Sequence, residues 1–153
     1  MKKFFLSVSF LTSVITGFGQ VKIASPKTTD QLLNEKYCGP LFSTADAMYF
    51  DMLDTRNISA QGYTNILDWL QGRVAGLRIF NTSPYTRVAY IRNQKAAVYI
   101  DEMPVTDDFV NNIPVADIAM IKIIKDPFIS GWRGPGGVIA IYTIRGDEDT
   151  SEE

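Results

Sequence analysis

The chain has 153 residues, of which 46% are hydrophobic and 21% are charged, and its formal net charge at pH 7 is −2. This length corresponds to one domain, and so small a net charge gives no indication of a nucleic acid or an anionic membrane surface as partner. The sequence has no histidine and one cysteine, Cys38. That composition excludes a Ser-His-Asp triad, a Cys-His pair, a histidine-based zinc site and an internal disulfide.

Residues 1–19 have the pattern of a secretory signal peptide. A basic start, Met-Lys-Lys, precedes a mostly apolar stretch at residues 4–18, and Gly17 and Gly19 supply small residues before a cleavage site at Gln20. The apolar stretch of about 15 residues is shorter than the ~20 that span a bilayer, so a membrane anchor is the less favoured alternative. No membrane-spanning segment is expected after cleavage.

Two terminal segments are expected to lie outside the folded domain. Residues 20–45 are polar and irregular, with Pro26, Gly39 and Pro40 among them, and predict a flexible, exposed leader with one short helical turn near residues 31–36. Residues 147–153 carry five carboxylate side chains in seven residues, which is typical of a disordered acidic tail. The folded domain is therefore expected at residues 46–146.

The clearest helix of this domain begins near Tyr63. Its apolar residues recur at the spacing of one helical face: Ile66, Leu67, Leu70 and Val74. Thr64 or Asn65 can cap its N-terminus. Gly72 is expected to weaken its middle, and Gly76 to end it as a left-handed C-cap.

Short runs rich in β-branched and aromatic residues then predict four or five strands. The runs are residues 77–80, 87–91, 96–100, 117–125 and 138–144. The polar turn at residues 92–95 makes the second and third runs a hairpin, and residues 107–112 predict one helical turn. The last run is nearly all apolar and too short for a helix, which indicates a buried central strand. The elements together predict an α+β fold, a small mixed sheet of four to five strands with one or two packed helices.

Four blocks of this domain form recognisable motifs. The most specific block is Leu-Gln-Gly-Arg-Val-Ala-Gly at residues 70–76. The other blocks are VYID at residues 98–101 with Pro104-Val105, IPVADI at 113–118 with IKIIK at 121–125, and WRGPGGVI at 132–139. In this order, the blocks resemble those of the plug of SusC/RagA-type TonB-dependent outer-membrane receptors of Bacteroidota. The resemblance extends across residues 60–146, nearly the whole predicted domain, and implies a plug fold.

Several departures separate this chain from the transporters that it resembles. Glu102 stands where they usually have glycine, Asn93 follows Arg92 where Arg-Gly is usual, and residues 126–128 replace a stretch of small residues. The leader has no recognisable TonB box. A barrel needs at least eight strands of about 9–11 residues, which the seven residues after Gly146 do not supply. The chain is therefore expected to be a standalone plug-type domain, as in other Bacteroidota envelope proteins that are not transporters.

The candidate interaction residues lie on two loops. Trp132 and Arg133 are predicted to lie at the tip of a glycine-rich loop. Tryptophan and arginine are both enriched at the hot spots of protein interfaces. A role for Trp132 in covering the hydrophobic core is an equal alternative. Arg92 and Asn93 begin the polar turn. The residues assigned to structural turns are Gly72, Gly76, Asp101, Gly134, Gly136 and Gly137. The glycine-rich loop has no lysine and leads into a strand, so it is interpreted as a turn and not a phosphate cradle.

The leading functional hypothesis is a non-enzymatic interaction module, periplasmic or associated with the outer membrane, that contacts an envelope protein such as an outer-membrane barrel. A plug supplied in trans to gate a separately encoded nutrient transporter is the alternative. An enzyme is disfavoured, because the carboxylate pairs Asp101-Glu102 and Asp107-Asp108 are typical of turns and surfaces. A remnant of a longer protein is a fourth hypothesis. Neither a cofactor nor a metal is expected, and the oligomeric state is left open, although an unpaired edge strand would allow dimerisation.

Overall fold

The computed structural model describes residues 26–83, 86–126 and 135–145. Within these ranges the chain forms three α-helices, eight β-strands and two 3₁₀-helices. In chain order they are α1 (Thr29–Tyr37), β1 (Met48–Asp51), a 3₁₀-helix (Thr55–Gly62), α2 (Ile66–Leu70), β2 (Leu77–Ser83), β3 (Thr86–Ile91), β4 (Gln94–Lys95), β5 (Ala97–Ile100), β6 (Met103–Val105), α3 (Asp107–Val110), a 3₁₀-helix (Val115–Asp117), β7 (Ile118–Ile124) and β8 (Val138–Thr143). None of the helices in this part of the chain is long and apolar enough to cross a membrane.

Five strands form one mixed sheet in the order β1-β7-β8-β5-β6. β5 and β8 are parallel, and the other neighbours are antiparallel. The fold class is therefore α+β with a five-stranded mixed sheet, as the sequence predicts. β8 lies at the centre of this sheet, and all its residues but Thr143 are buried, which confirms the buried central strand.

β2, β3 and β4 form a second, antiparallel sheet that the sequence analysis did not separate from the first. The predicted hairpin between residues 87–91 and 96–100 is wrong, because β3 pairs with the two-residue strand β4 and β5 pairs with β8. The chain passes from one sheet to the other between Ala96 and Ala97. Ala96 N donates to Ala89 O of β3 at 2.9 Å, whereas Ala97 N donates to Gly137 O, next to β8, at 2.9 Å. The strand partner depends on Gly137, which is distant in sequence, so local alternation could not reveal it.

α2 is shorter than its apolar pattern predicts. Asn65 is the N-cap, and its side-chain oxygen accepts a hydrogen bond from Leu67 N at 2.8 Å. The helix ends at Leu70, because Gln71 is extended and Gly72 adopts a left-handed φ of 86°. Gly72 therefore lies beyond the helix and does not weaken its middle. Gly76, with φ of 82°, leads into β2 and is not the helix C-cap.

The part of the predicted leader that the structure describes is not an exposed segment. Thr28 forms a capping box with Gln31 and begins α1, which is longer than the predicted helical turn. Leu33 and Tyr37, one helical turn apart, are buried against the sheet, and so is Phe42. The sequence around these residues is mostly polar, which predicts an exposed segment. A few apolar side chains are nevertheless enough to pack this segment against the sheet.

The five-stranded sheet separates two apolar clusters, one on each face. One cluster packs α2 and the three-stranded sheet against Ile121, Ile139 and Ile141. The other packs α1 and Phe42 against Ala140 and Tyr142, which alternate with those residues along β8. β1, which the sequence analysis missed, extends the sheet beside β7 and places Phe50 edge-to-face on Trp69 at 5.5 Å between ring centroids. With both faces covered, the sheet can present its ends, edges and loops to partners.

Candidate functional site

Two tight turns, one in each sheet, lie at opposite ends of the domain. Arg92 and Asn93 join β3 to β4 with φ of 53° and 65°, and Asp101 and Glu102 join β5 to β6 with φ of 46° and 66°. Two consecutive positive φ values are those of a type I′ turn, which favours glycine or asparagine. Both turns therefore hold side chains in a conformation that costs about 1 kcal/mol or more per residue outside glycine.

The first turn lies at an end of the domain that carries three basic side chains, of which Arg92 and Lys95 are exposed and Lys125 is half-buried. Arg92 N donates to Gly76 O at 3.0 Å, and both Arg92 and Asn93 are exposed. Lys95 and Lys125 lie at the same end, where their amines contact Asp107 Oδ2 at 2.6 Å and Ala75 O at 2.9 Å. These four residues are called the basic end below. A shallow surface depression beside Asn93 adds the aromatic side chains of Phe80 and Tyr90, which pack edge-to-face at 5.2 Å.

The glycine-rich loop returns to the fold at the basic end. Trp132, Arg133 and Gly134 lie outside the described residues. Gly136 N donates to Lys95 O at 3.0 Å, and a Cβ added at Gly136 would lie 2.2 Å from Gln94 O. Gly137 has φ of 105°, and a Cβ added there would lie 2.3 Å from Ile124 O. Backbone contacts this close require glycine, so the glycines act here as packing positions between strands.

The opposite end of the sheet is held by the carboxylates of the second turn. Asp101 accepts hydrogen bonds from Thr143 N at 3.0 Å and from Thr143 Oγ1 at 2.8 Å, which joins the β5–β6 turn to the end of β8. Glu102 accepts from Leu41 N at 3.1 Å and from Tyr142 Oη at 3.3 Å. The non-glycine residue at position 102 therefore attaches the segment that follows α1 to the sheet.

A buried lysine of the sheet binds α1 and the segment that follows it. Lys122 on β7 is fully buried, and its ammonium donates to Asn34 Oδ1 at 2.6 Å and to the carbonyl of Phe42. Cys38 Sγ lies 3.8 Å from the same nitrogen, and the ring of Tyr49 lies below it at 5.0 Å. No carboxylate forms an ion pair with Lys122 among the described residues, so neutral acceptors satisfy its charge.

The thiol and phenol next to this lysine are shifted away from their ionised forms. Burial raises the pKa of Cys38, although hydrogen bonding to Tyr142 and the nearby Lys122 act in the opposite direction. Burial also raises the pKa of Tyr142, and its contacts with Cys38 and Glu102 act in the same direction. A thiol held protonated is a poor nucleophile, so these groups suit packing and hydrogen bonding better than covalent chemistry.

Glu102→Gly is expected to loosen the segment at residues 38–41. The substitution relieves a left-handed φ but removes the acceptor for Leu41 N and Tyr142 Oη. We expect Cys38 to react about threefold or more faster with a maleimide in this variant, since the rate follows the opening of the segment. An unchanged rate would contradict the role of Glu102. Cys38→Ser supplies the unreactive control.

The remaining carboxylate pair from the sequence analysis has structural partners. Asp107 accepts from Lys95, and Asp108 Oδ1 accepts from Thr86 Oγ1 at 2.5 Å. Both residues occupy the first turn of α3, where negative charge is favourable. No cluster of three or more potential metal ligands occurs within residues 26–83, 86–126 and 135–145. The structure thus brings Arg92 and Asn93 together with Gly76, Gly136 and Gly137 at one end, and it places Asp101 at the other.

Sequence reasoning missed two residues that hold the fold's N-terminal part. Lys122 was counted only as a member of a predicted strand, although a lysine within an otherwise apolar run of a central strand could have indicated a buried amine. Glu102 was noted only as a departure from glycine. The sequence feature related to this role is Gly39. The absence of a side chain at Gly39 leaves room for the Glu102 carboxylate, because a Cβ there would lie 2.6 Å from Glu102 Oε2.

Comparisons with known proteins agree on one fold. A family model described as TonB-dependent Receptor Plug Domain matches residues 46–138. Among solved structures, the RagAB peptide importer in its open-open state aligns with a TM-score of 0.53 and 22% identity, over 65% of this chain and 12% of the importer chain. The ferric yersiniabactin uptake receptor FyuA from Yersinia pestis aligns with a TM-score of 0.50 and 19% identity, over 66% of this chain and 17% of the receptor.

A third solved structure, the FpvAI-pyocin S2 complex, aligns with a TM-score of 0.50 and 16% identity, over 69% of this chain and 14% of that one. The chain thus spans less than a fifth of the length of each of these solved proteins. The comparison with curated proteins gives no sequence match. At identities of 16–22% these likenesses concern the fold alone.

Proposed function

The chain belongs to the TonB-dependent receptor plug domain family, and from this premise we propose that it acts as a non-enzymatic interaction module of the cell envelope. It would work at the periplasmic side of the outer membrane and contact an envelope protein through its basic end. The family match covers every described strand of both sheets except β8, of which only Val138 lies within it. Plug domains belong to outer-membrane receptors, which supports an outer-membrane association.

The observation that carries this proposal is the Arg92-Asn93 turn. Its two residues are exposed and held in a left-handed turn by the β3–β4 pairing, so their side chains project from a rigid support. Arginine and aromatic side chains are enriched at protein interfaces, and Arg78, Phe80 and Tyr90 line the depression beside Asn93. The basic end therefore offers a charged rim around a small aromatic patch. Trp132 and Arg133, from the adjoining loop, are proposed to belong to the same surface.

In-cell cross-linking with a photoreactive residue at position 93 tests the proposal. We expect a cross-linked envelope protein, identifiable by mass spectrometry, and no such product with the photoreactive residue at Asp117, which is exposed at the opposite end. Arg92→Glu should lower the yield about tenfold, the effect of ~1.4 kcal/mol at an interface. Arg56→Glu is the matched control, because Arg56 is 81% exposed and lies away from the basic end. Equal yields from positions 93 and 117 would refute the proposed surface.

A plug supplied in trans to a separately encoded transporter barrel is the second candidate function. Its support is the likeness to an importer and an uptake receptor in which the aligned region is part of a much longer chain. The same cross-linking experiment separates the two candidates. A barrel cross-linked at position 93, together with loss of nutrient uptake when this chain is deleted, favours the gate. A partner of any other kind favours the interaction module.

A further inference from the structure

The longest strand edge without a partner strand in the described part of the chain belongs to β2. β2 ends the three-stranded sheet, and among the described strands only β3 pairs with it. It has seven residues and no proline. The other edges are less open: β4 has two residues, β6 contains Pro104, which lacks an amide hydrogen, and Asn57 Nδ2 already binds Asp51 O of β1 at 2.7 Å. β2 is therefore the edge best suited to accept one more strand.

The backbone of β2 presents unpaired groups along this edge. Ala96 N donates to Ala89 O, so Ala89 of β3 faces β4 and does not bond to Ile79, which lies opposite it in β2. Because hydrogen-bonded pairs alternate along an antiparallel ladder, Phe80 bonds to β3, whereas the N–H and C=O groups of Ile79 and Asn81 point to the free edge. A strand added here would bond to those two residues.

The exposed face beside this edge carries a basic and an aromatic side chain, two residues apart. Arg78 and Phe80 alternate with Ile79 and therefore lie on the same face of the sheet. Both line the depression beside Asn93, and Phe80 is 51% exposed although it packs on Tyr90. Ile79 is half-buried and packs against the core on the other face. Alternate side chains of an added strand would therefore contact Arg78 and Phe80.

The charge at this edge is positive. Neither Arg78 nor Arg92 forms an ion pair with another described residue. Arg92 Cγ would lie 3.8 Å from a Cβ added at Gly76, which directly precedes β2. Asp46 lines a depression together with Arg92 and Lys125, so one carboxylate there faces two cations. A ligand strand with a carboxylate complements this charge, whereas a second copy of the chain would add further arginines to it.

We propose that β2 binds an extended segment of the partner protein, which adds to the sheet as a strand at this free edge. The segment would have a carboxylate and an aromatic residue two positions apart, with an apolar residue between them. The carboxylate pairs with Arg78, the aromatic ring packs on Phe80, and the apolar residue lies beside Ile79. This inference rests on the proposed function for the partner, an envelope protein, but the strand can be tested separately.

Hydrogen exchange at single amides of the full chain tests the proposal with a synthetic peptide, acetyl-Thr-Glu-Val-Phe-Thr-amide. At a peptide concentration about ten times its Kd, the Ile79 and Asn81 amides should exchange about tenfold more slowly, because the free fraction falls by that factor. The Tyr49 amide is the matched reference. Met52 N bonds to β7, so by the same alternation Tyr49 N–H points to the edge of β1, and its exchange should not change.

Two sets of variants test the backbone and the charge. Only alternate amides of an added strand face β2, so a peptide N-methylated at Val and one N-methylated at Glu and Phe should differ in affinity about tenfold or more. Replacing Glu by Lys in the peptide should weaken binding about tenfold, and Arg78→Glu should reverse that preference. Arg56→Glu is the matched control and should retain it, because Arg56 is paired with Asp54.

The outcomes separate this inference from the proposed function. Unchanged Ile79 and Asn81 exchange with about 5 mM peptide, or equal affinities of the two methylated peptides, overturns the added strand. A cross-link at position 93 without such protection supports the proposed function and overturns the strand. Protection without a cross-link supports the strand and contradicts the proposed function. Protection that grows with protein concentration in the absence of peptide assigns the edge to a second copy and overturns the inference.

Discussion

Gly137→Ala is expected to lower the free energy of unfolding by about 3 kcal/mol or more. The new Cβ would lie 2.3 Å from Ile124 O, and the residue would keep a φ of 105°, which side chains rarely adopt. The backbone cannot shift easily to relieve this strain. Ile124 pairs with Val138 on the neighbouring strand, and the carbonyl of Gly137 accepts a hydrogen bond from Ala97 N. Equilibrium urea unfolding of the purified domain measures the effect.

Three other glycines separate crowding from backbone conformation. Gly136→Ala meets Gln94 O at 2.2 Å without a positive φ, so it should cost nearly as much as Gly137→Ala. Gly72→Ala has open space but a φ of 86°, and should cost about 1 kcal/mol. Gly62→Ala has open space and no such φ, and should be neutral within about 0.5 kcal/mol. Equal changes in the free energy of unfolding for Gly137→Ala and Gly62→Ala would contradict the close backbone packing at the basic end.

Lys122→Ala is expected to destabilise the domain by about 3 kcal/mol. The substitution removes a fully buried side chain, so it leaves a cavity between β7 and residues 34–42. The side-chain oxygen of Asn34 and the carbonyl of Phe42 each lose one of their hydrogen bonds as well. The loss should fall mainly on α1 and the segment after it. Amide exchange would therefore rise in α1 before it rises in β8.

Lys122→Met is the matched variant, because methionine fills most of the volume of the lysine stem without the ammonium. We expect it to cost about 1 kcal/mol, since Tyr49 Oη still lies 3.2 Å from Asn34 Oδ1 and Ala45 N still donates to Phe42 O at 3.1 Å. A double-mutant cycle with Asn34→Ala measures the coupling of the pair. Equal losses in the alanine and methionine variants would assign the effect to the hydrogen bonds and not to the cavity.

Much of the fold follows from local sequence. The apolar run at residues 138–144 predicts a buried central strand, and β8 is one. Asn65 has the side chain of an N-cap and caps α2. The resemblance carried by residues 70–76 and the blocks after them agrees with the family match over residues 46–138. These features succeed because capping, alternation and glycine turns are determined by neighbours in the chain.

The candidate site was only partly predictable. Arg92 and Asn93 were selected from a polar turn, and the structure places them on an exposed type I′ turn. The sequence does not predict the structural roles of Glu102 and Lys122, because their partners, Leu41 and Asn34, are 61 and 88 residues away in the chain. No pattern within one element indicates which distant acceptor a buried ammonium will find.

The sequence by itself determined the α+β class and the approximate positions along the chain of five of the eight described strands, β2, β3, β5, β7 and β8. Only the tertiary structure decided that β3 and β5 belong to different sheets, that residues 28–45 cover one face of the larger sheet, and that β1 has a free edge. The physical reason is the range of the interactions. Strand type and turns depend on backbone preferences over a few residues, whereas strand partners, the burial of Lys122 and the exposure of an edge depend on contacts between distant segments.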